Sequence, residues 1–173
     1  KGKSAEDTIF AANAACVAAA KKIGAENVTN ATIGAILDED EKLVCLPTVD
    51  KVFRSLSTDE LIAYAPISGL PDYLEEVLNA AFGDSRPEGY MAAVATSGGT
   101  GVIHHAIWNY MDEGETALTS DWYWDPYSVL CNDMGRKLDT YTMLDENNKY
   151  NLPALKAKVE EILSKQKSLL LVQ

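Results

Sequence analysis

The chain has 173 residues, of which 47% are hydrophobic and 24% charged, a composition typical of a globular domain or of part of a larger protein. Its formal net charge of −11 disfavours nucleic acid or an anionic membrane surface as the main partner, because long-range repulsion opposes both. The three cysteines, Cys16, Cys45 and Cys131, are widely spaced and form no C-x-x-C pair. This spacing disfavours a zinc site, any other metal centre or a disulfide framework, and predicts a reducing, cytoplasmic location.

The N-terminal part of the chain begins with the Ala-rich segment "IFAANAACVAAA" at residues 9–20. Acidic residues separate this segment from the preceding lysines, and the polar Asn13 interrupts it, which argues against a signal peptide. The segment is also too short to span a bilayer. We interpret it as a helix with Ser4 as N-cap that ends at Gly24. Residues 25–48 predict irregular or short-strand structure with a turn at "DEDEK".

The rest of the chain alternates between helix and strand patterns. Apolar residues spaced i, i+3, i+4, i+7 predict amphipathic helices, and short unbroken apolar runs predict strands that are buried on both faces. From residue 91 the predicted order is β-α-β-α-β-α-β, typical of an α/β fold with a mostly parallel sheet and crossover helices. The predicted helices are 69–83, 102–111, 126–135 and 151–167, and the predicted strands are 91–96, 116–121, 137–143 and 168–172.

The last predicted strand ends one residue before Gln173, where the sequence itself ends. A buried parallel strand needs further structure to cover it, because both of its faces are apolar. We therefore expect this sequence to be the front portion of a longer protein.

The segment "TSGGTG" at residues 96–101 lies at a predicted strand-to-helix junction. Glycine lets the backbone approach a phosphate closely, a helix N-terminus offers free N–H groups, and the hydroxyls of Thr96, Ser97 and Thr100 are further donors. From the residues alone, a phosphate cradle and an ordinary turn are equally good interpretations. A P-loop and a dinucleotide fingerprint are both excluded, because Val102 stands where the first requires lysine and the third glycine of the second is absent.

A second informative segment, "SDWYWDPY" at residues 120–127, follows the next predicted strand. The carboxyl ends of parallel strands meet at one edge of a sheet, so this aromatic loop and the glycine turn are expected at the same edge. A planar ligand ring can stack on such a side chain. The alternative is that these rings only pack the loop against the domain.

Six segments in this order resemble the aspartate aminotransferase family, whose members are fold type I pyridoxal-phosphate (PLP) enzymes. They are "DTIF", "ATIGAILDEDEKLVCLPTV", "AYAPISGLPDYLEEV", "FGD", "TSGGTGV" and "SDWYWDPY". The resemblance implies a fold class: the front part of the fold type I large domain, preceded by a small-domain segment. It assigns residues 1–48 to the N-terminal helix and the small-domain or arm segment, and residues 49–173 to the first, incomplete part of the PLP-binding large domain.

The resemblance also implies a role for each matching residue. Gly98, Gly99 and Thr100 match the positions that bind the cofactor phosphate, although the family often has serine where Gly98 stands. Trp124 matches the aromatic residue that stacks on the pyridine ring.

Two further matches lie upstream. Tyr64 matches the tyrosine that reaches the phosphate of the neighbouring subunit's cofactor, which implies a homodimer with shared sites. Gly34 matches a glycine beside the α-carboxylate of the substrate. No lysine of this chain matches the Schiff-base position, and no arginine matches the one that binds the substrate carboxylate, so no catalytic residue is assigned and the chain alone is expected to be inactive.

The implied function is transfer of an amino group between an amino acid and a 2-oxo acid, with PLP as cofactor. Two alternatives stay open. One is a PLP-dependent lyase of the same fold, and the other is a non-catalytic module of aminotransferase-like or flavodoxin-like fold that binds a phosphorylated ligand.

Overall fold

The computed structural model describes residues 8–40 and 42–173. The chain divides into two compact units, Lys1–Tyr64 and Ala65–Gln173. The predicted N-cap, Ser4, lies outside the described residues. The boundary after residue 48, between the small-domain segment and the PLP-binding large domain, stays a prediction.

The first unit begins with helix α1 (Thr8–Ile23), which confirms the helix predicted for the Ala-rich segment. After a short 3₁₀ turn, the chain reverses direction between Leu37 and Leu43, which form an isolated antiparallel bridge. The Asp38 carboxylate accepts a hydrogen bond from the Lys42 amide at 2.9 Å and stabilises this reversal. The turn predicted in "DEDEK" is therefore confirmed for the described residues.

Helices α2 (Pro47–Ser55) and α3 (Thr58–Ile62) complete the first unit and were not predicted. Pro47 occupies the first turn of α2, where its missing N–H costs nothing. A capping box precedes α3: the Ser57 hydroxyl accepts from the Glu60 amide, and the Glu60 carboxylate accepts from the Ser57 amide. Both start signals are visible in the sequence. Helix α2 also carries the i, i+3, i+4 spacing at Val49, Val52 and Phe53, whereas α3 is too short to show an apolar period.

The second unit contains the sheet. Strand β1 pairs in parallel with β2, in a register that runs from Thr116 opposite Lys137 to Ser120 opposite Tyr141. On its other side, β1 bridges Leu171 in parallel, and the Leu118 amide and carbonyl bond the Leu170 carbonyl and the Val172 amide, both at 2.9 Å. The parallel α/β architecture is confirmed. Its elements are α4 (Pro71–Phe82), α5 (Gly98–Tyr110), β1 (Thr116–Ser120), α6 (Pro126–Asp133), β2 (Lys137–Tyr141) and α7 (Leu152–Leu163).

Two strand predictions need correction. Residues 91–96 form no strand, and within 168–172 only Leu171 bridges β1. In the first segment, the Ala95 amide donates to the Ser68 carbonyl at 2.7 Å, which is a loop contact and not part of a ladder. A strand is defined by hydrogen bonds to a neighbouring strand, and an apolar run in the sequence does not reveal whether that neighbour is present.

Side chains on the two faces of β1 enter two separate apolar clusters, because successive strand residues point to opposite faces. Ala117 packs with Ile107 of α5 and Cys131 of α6, all of them buried. Leu118 packs with Tyr141 of β2 and Ile162 of α7. Helices therefore cover both faces of the sheet, as is usual for parallel strands.

Arg136 connects the C-terminal ends of α5 and α6. Its Nη2 and Nε donate to the Met111 carbonyl at 2.8 and 3.2 Å, and Nη1 donates to the Met134 carbonyl. The guanidinium also lies 5.2 Å from the centre of the Trp108 ring. A cation at this place satisfies carbonyls that the helices leave free and complements both helix dipoles.

We expect Arg136→Ala to lower the free energy of unfolding by about 2 kcal/mol, because buried carbonyls lose a charged donor. Arg136→Lys should recover only part of the loss, since an ammonium lacks the planar fork that reaches both carbonyls. Urea denaturation followed by circular dichroism measures both changes. An unchanged midpoint for Arg136→Ala would contradict the role given to this side chain.

Candidate phosphate and cofactor site

The glycine turn forms the first turn of α5. The Gly98 amide bonds the Thr96 carbonyl at 2.8 Å, and the Gly101 amide bonds the Ser97 carbonyl at 3.3 Å. The two amides between them, those of Gly99 and Thr100, have no acceptor among the described residues. Two free N–H groups at the positive end of a 13-residue helix favour an anion.

The glycines of this turn differ in what they contribute. Gly98 has φ +66°, a backbone conformation that residues other than glycine rarely adopt. A β-carbon at Gly101 would lie 3.1 Å from the β-carbon of Thr96, so this glycine keeps the turn tight. A β-carbon at Gly99 would meet nothing within 4 Å. The absence of a side chain at Gly99 thus leaves open space directly beside the two free amides.

The Thr96 hydroxyl stabilises the turn from inside. Its Oγ1 donates to the Gly98 carbonyl at 2.9 Å, so this hydroxyl serves the turn. The sequence indicated Thr96 as a donor to a ligand, and its use within the turn depends on the backbone path. Ser97 and Thr100 are exposed, and no hydrogen bond within the described chain involves their hydroxyls.

Trp124 lies in the loop between β1 and α6. Its ring meets Tyr127 edge to face, with centroids 5.8 Å apart and planes at 83°. Tyr127 in turn stacks on Tyr123 at 6.3 Å. Trp124 remains 40% exposed. The aromatic loop therefore packs internally and leaves part of the Trp124 ring accessible, and stacking of a ligand on that ring stays a prediction.

The glycine turn and the Trp124 loop lie at the same end of the helix pair α5 and α6. These helices pack against each other, and Arg136 bonds the carbonyl at the C-terminal end of each. Since both helices end at Arg136, they run in the same direction. Trp124 immediately precedes the start of α6, and the glycine turn is the start of α5. The glycine turn and Trp124 therefore lie at the same end of this helix pair, and their membership of one site stays a prediction.

A hydrogen-bonded cluster that the sequence did not indicate fixes the carboxyl ends of the strands. The Asp121 amide donates to the Tyr141 carbonyl, and its carboxylate accepts from the Met143 amide, both at 2.9 Å. The Tyr141 hydroxyl lies 2.9 Å from that of Tyr150 and accepts from the Gln173 amide group. Burial, with the Tyr150 hydrogen bond, raises the pKa of Tyr141 to about 12. This hydroxyl therefore stays protonated and connects β2 to Tyr150 and Gln173, while the two Asp121 hydrogen bonds anchor the start of the loop that leads to Trp124.

The other two predicted site residues belong to the first unit. Gly34 lines an open groove together with Asn13 and Cys16 of α1, and a β-carbon on Gly34 would meet nothing within 4 Å. Tyr64 is 96% exposed. Both residues are thus accessible within their own unit.

Metal and membrane functions gain no support from the part of the chain that the structure describes. Within residues 8–40 and 42–173, no group of three or more His, Cys, Asp or Glu side chains is arranged to bind a metal ion. In the same residues, no helix combines the length and apolar character needed to cross a membrane. All three cysteines are free thiols.

Comparison with known proteins agrees with this geometry. The family model described as aminotransferase class I and II matches residues 26–173. No curated protein sequence matches the chain. Among solved structures, an aminotransferase from Anaerococcus prevotii superimposes with a TM-score of 0.91 at 34% identity, covering 99% of this chain and 42% of that protein.

Two more distant structures share the fold. Cytoplasmic aspartate aminotransferase from Saccharomyces cerevisiae has a TM-score of 0.68 at 20% identity, covering 93% of this chain and 40% of its own. An aromatic-amino-acid aminotransferase from Burkholderia pseudomallei, covalently bound to pyridoxal phosphate, has a TM-score of 0.64 at 22% identity, covering 93% and 41%.

The chain thus spans less than half the length of these solved structures. The matched region includes the glycine turn, the Trp124 loop and the whole parallel sheet. The chain has the architecture of part of a fold type I enzyme and belongs to the class I and II aminotransferase family.

Proposed function

We propose that this chain supplies the phosphate-binding half of the site in a PLP-dependent aminotransferase, which transfers an amino group between an amino acid and a 2-oxo acid. The observation that carries this proposal is the pair of amides at Gly99 and Thr100. They have no acceptor among the described residues, both residues are exposed, and the chain belongs to the aminotransferase family.

The residues present fit the cofactor. A phosphate dianion would accept charge-assisted hydrogen bonds from the Gly99 and Thr100 amides, and the dipole of α5 would favour its charge. The exposed part of Trp124 offers a flat surface against which the pyridine ring would rest. When bound, PLP supplies an electron sink for negative charge at the amino acid's Cα. The role of this chain is to bind the phosphate and to fix the plane of the ring.

The remaining roles follow from the family resemblance. The substrate α-carboxylate would lie beside Gly34, where a missing side chain leaves space. The exposed phenol of Tyr64 would reach the cofactor phosphate of a second copy, so the enzyme would be a homodimer. We place the enzyme in the cytoplasm, and the lysine that carries the cofactor would lie outside this chain.

Amino transfer can be measured directly with the full-length protein. A panel of ¹⁵N-labelled amino acids is incubated with PLP and an unlabelled 2-oxo acid, with a matched reaction from which PLP is omitted. The proposal predicts that ¹⁵N appears in the amino acid that corresponds to the added 2-oxo acid, and only when PLP is present. Release of the label as ammonium would indicate a lyase, and label that stays in every starting amino acid would rule out both activities.

Trp124 provides a test of ring binding. Trp124→Ala should weaken PLP affinity about tenfold, because the ring loses its stacking surface. Trp124→Phe should retain most of the affinity. Trp122→Ala serves as the matched control, since Trp122 belongs to the same loop and is 72% exposed. Equilibrium dialysis measures each dissociation constant, and an unchanged affinity in Trp124→Ala would remove this residue from the site.

A further inference from the structure

A tight loop upstream of α4 supports the segment that leads into the glycine turn. The Gly69 amide bonds the Pro66 carbonyl at 2.9 Å and closes this loop. The carbonyl of Ser68, which directly precedes Gly69, accepts a hydrogen bond from the Ala95 amide at 2.7 Å. Ala95 directly precedes Thr96, whose hydroxyl bonds the Gly98 carbonyl. A continuous series of contacts therefore connects Gly69 to the first turn of α5.

Gly69 is buried and tightly enclosed. A β-carbon at this position would lie 2.8 Å from the β-carbon of Ala95 and 3.1 Å from Cδ2 of Leu74. The first distance is shorter than carbon atoms tolerate, and Ala95 has no flexible side chain that can move aside. The φ of +105° also favours glycine. A side chain at residue 69 therefore forces the backbone at residue 69 and at Ala95 apart.

We infer that Gly69 is a positioning residue for phosphate binding: the absence of its side chain sets the place of Ala95 and hence of the Gly99 and Thr100 amides. This inference rests on the proposed function, in which those amides bind the PLP phosphate. Gly69 itself touches no part of the cofactor in this account. A side chain there should weaken contacts to the phosphate and leave contacts to the ring unchanged.

The chain offers matched variants for a test. Gly69→Ala introduces the collision, and Ala95→Val introduces it from the opposite side without changing φ at residue 69. Gly89→Ala is the control for backbone strain, because Gly89 has φ +132° and its β-carbon would meet nothing within 4 Å. Ala92→Val is the control for added volume, because Ala92 lies on the same segment as Ala95 and is exposed.

The measurement is the affinity of the full-length protein for two probes, PLP and pyridoxal, which lacks the phosphate. We expect Gly69→Ala and Ala95→Val each to weaken PLP binding about tenfold and to leave pyridoxal binding unchanged, which corresponds to the loss of about one charge-assisted hydrogen bond. The two control variants should bind both probes as the wild type does. If Gly69→Ala does not fold, Ala95→Val provides the same comparison.

Two results would overturn the inference. In one, the variants retain full PLP affinity. In the other, they weaken PLP and pyridoxal binding equally, which indicates a general structural role. Failure of the proposed function would be visible separately in the wild-type protein. If the phosphate is not bound by this chain, the wild type should bind PLP no better than pyridoxal. That result would overturn the inference along with the function.

Discussion

Gly99→Val in the full-length protein is expected to weaken PLP binding by about 100-fold, the equivalent of losing about two hydrogen bonds to a charged phosphate. A β-carbon at Gly99 would enter the open space beside the free amides of Gly99 and Thr100, and the two methyl groups of valine would fill more of it. The phosphate would then be held away from both donors. Equilibrium dialysis with PLP measures the change.

Thr100→Val is the matched control for this experiment. It removes the Thr100 hydroxyl and keeps both the size of the side chain and the backbone amide, so the loss of affinity should be about tenfold or less. Thermal unfolding of both variants should remain close to that of the wild type, because Gly99 and Thr100 are exposed. Unchanged PLP affinity in Gly99→Val would show that the phosphate does not bind at this turn.

Leu118→Ala is expected to lower the free energy of unfolding by about 3 to 5 kcal/mol. Leu118 is completely buried between Tyr141 and Ile162, in the central segment of the sheet. Hydrogen bonds to neighbours on both sides hold the backbone of β1 in place, so the cavity that the alanine leaves cannot collapse easily. Urea denaturation measures the loss.

The matched control for this substitution is Leu171→Ala. Leu171 pairs with Leu118 across the sheet but is 43% exposed, so its truncation should cost only about 1 kcal/mol. A loss below about 1 kcal/mol for Leu118→Ala itself would contradict the assignment of Leu118 to the core.

The long periodic elements of the fold could be predicted from the sequence. Helices α1, α4, α5, α6 and α7 and strands β1 and β2 lie where apolar spacing indicated them. Residues 91–96 are more apolar than β1 but form no strand, because pairing depends on a neighbour that the apolar pattern does not reveal. Helix α3 was missed because five residues are too few to establish a helical period, whereas α2 carries apolar residues at i, i+3 and i+4 (Val49, Val52 and Phe53) and could have been predicted.

In the candidate site, too, features that are local in sequence could be predicted, and contacts between distant residues could not. The glycine turn is contiguous in sequence, so its position at the start of a helix could be predicted. The parallel-strand order also led to the expectation that Trp124 lies at the same end as that turn, as the shared direction of α5 and α6 now shows. Contacts between distant residues could not be predicted. Examples are the fit of Gly69 against Ala95 and the bond from Arg136 to Met111, which depend on the path of the folded backbone.

The measurement that tests the central claim most directly is a crystal structure of the full-length protein with PLP. The account predicts phosphate oxygens at about 2.7 to 3.2 Å from the amide nitrogens of Gly99 and Thr100. It also predicts that the pyridine ring lies against Trp124. A phosphate bound elsewhere, with both amides still free, would contradict the account.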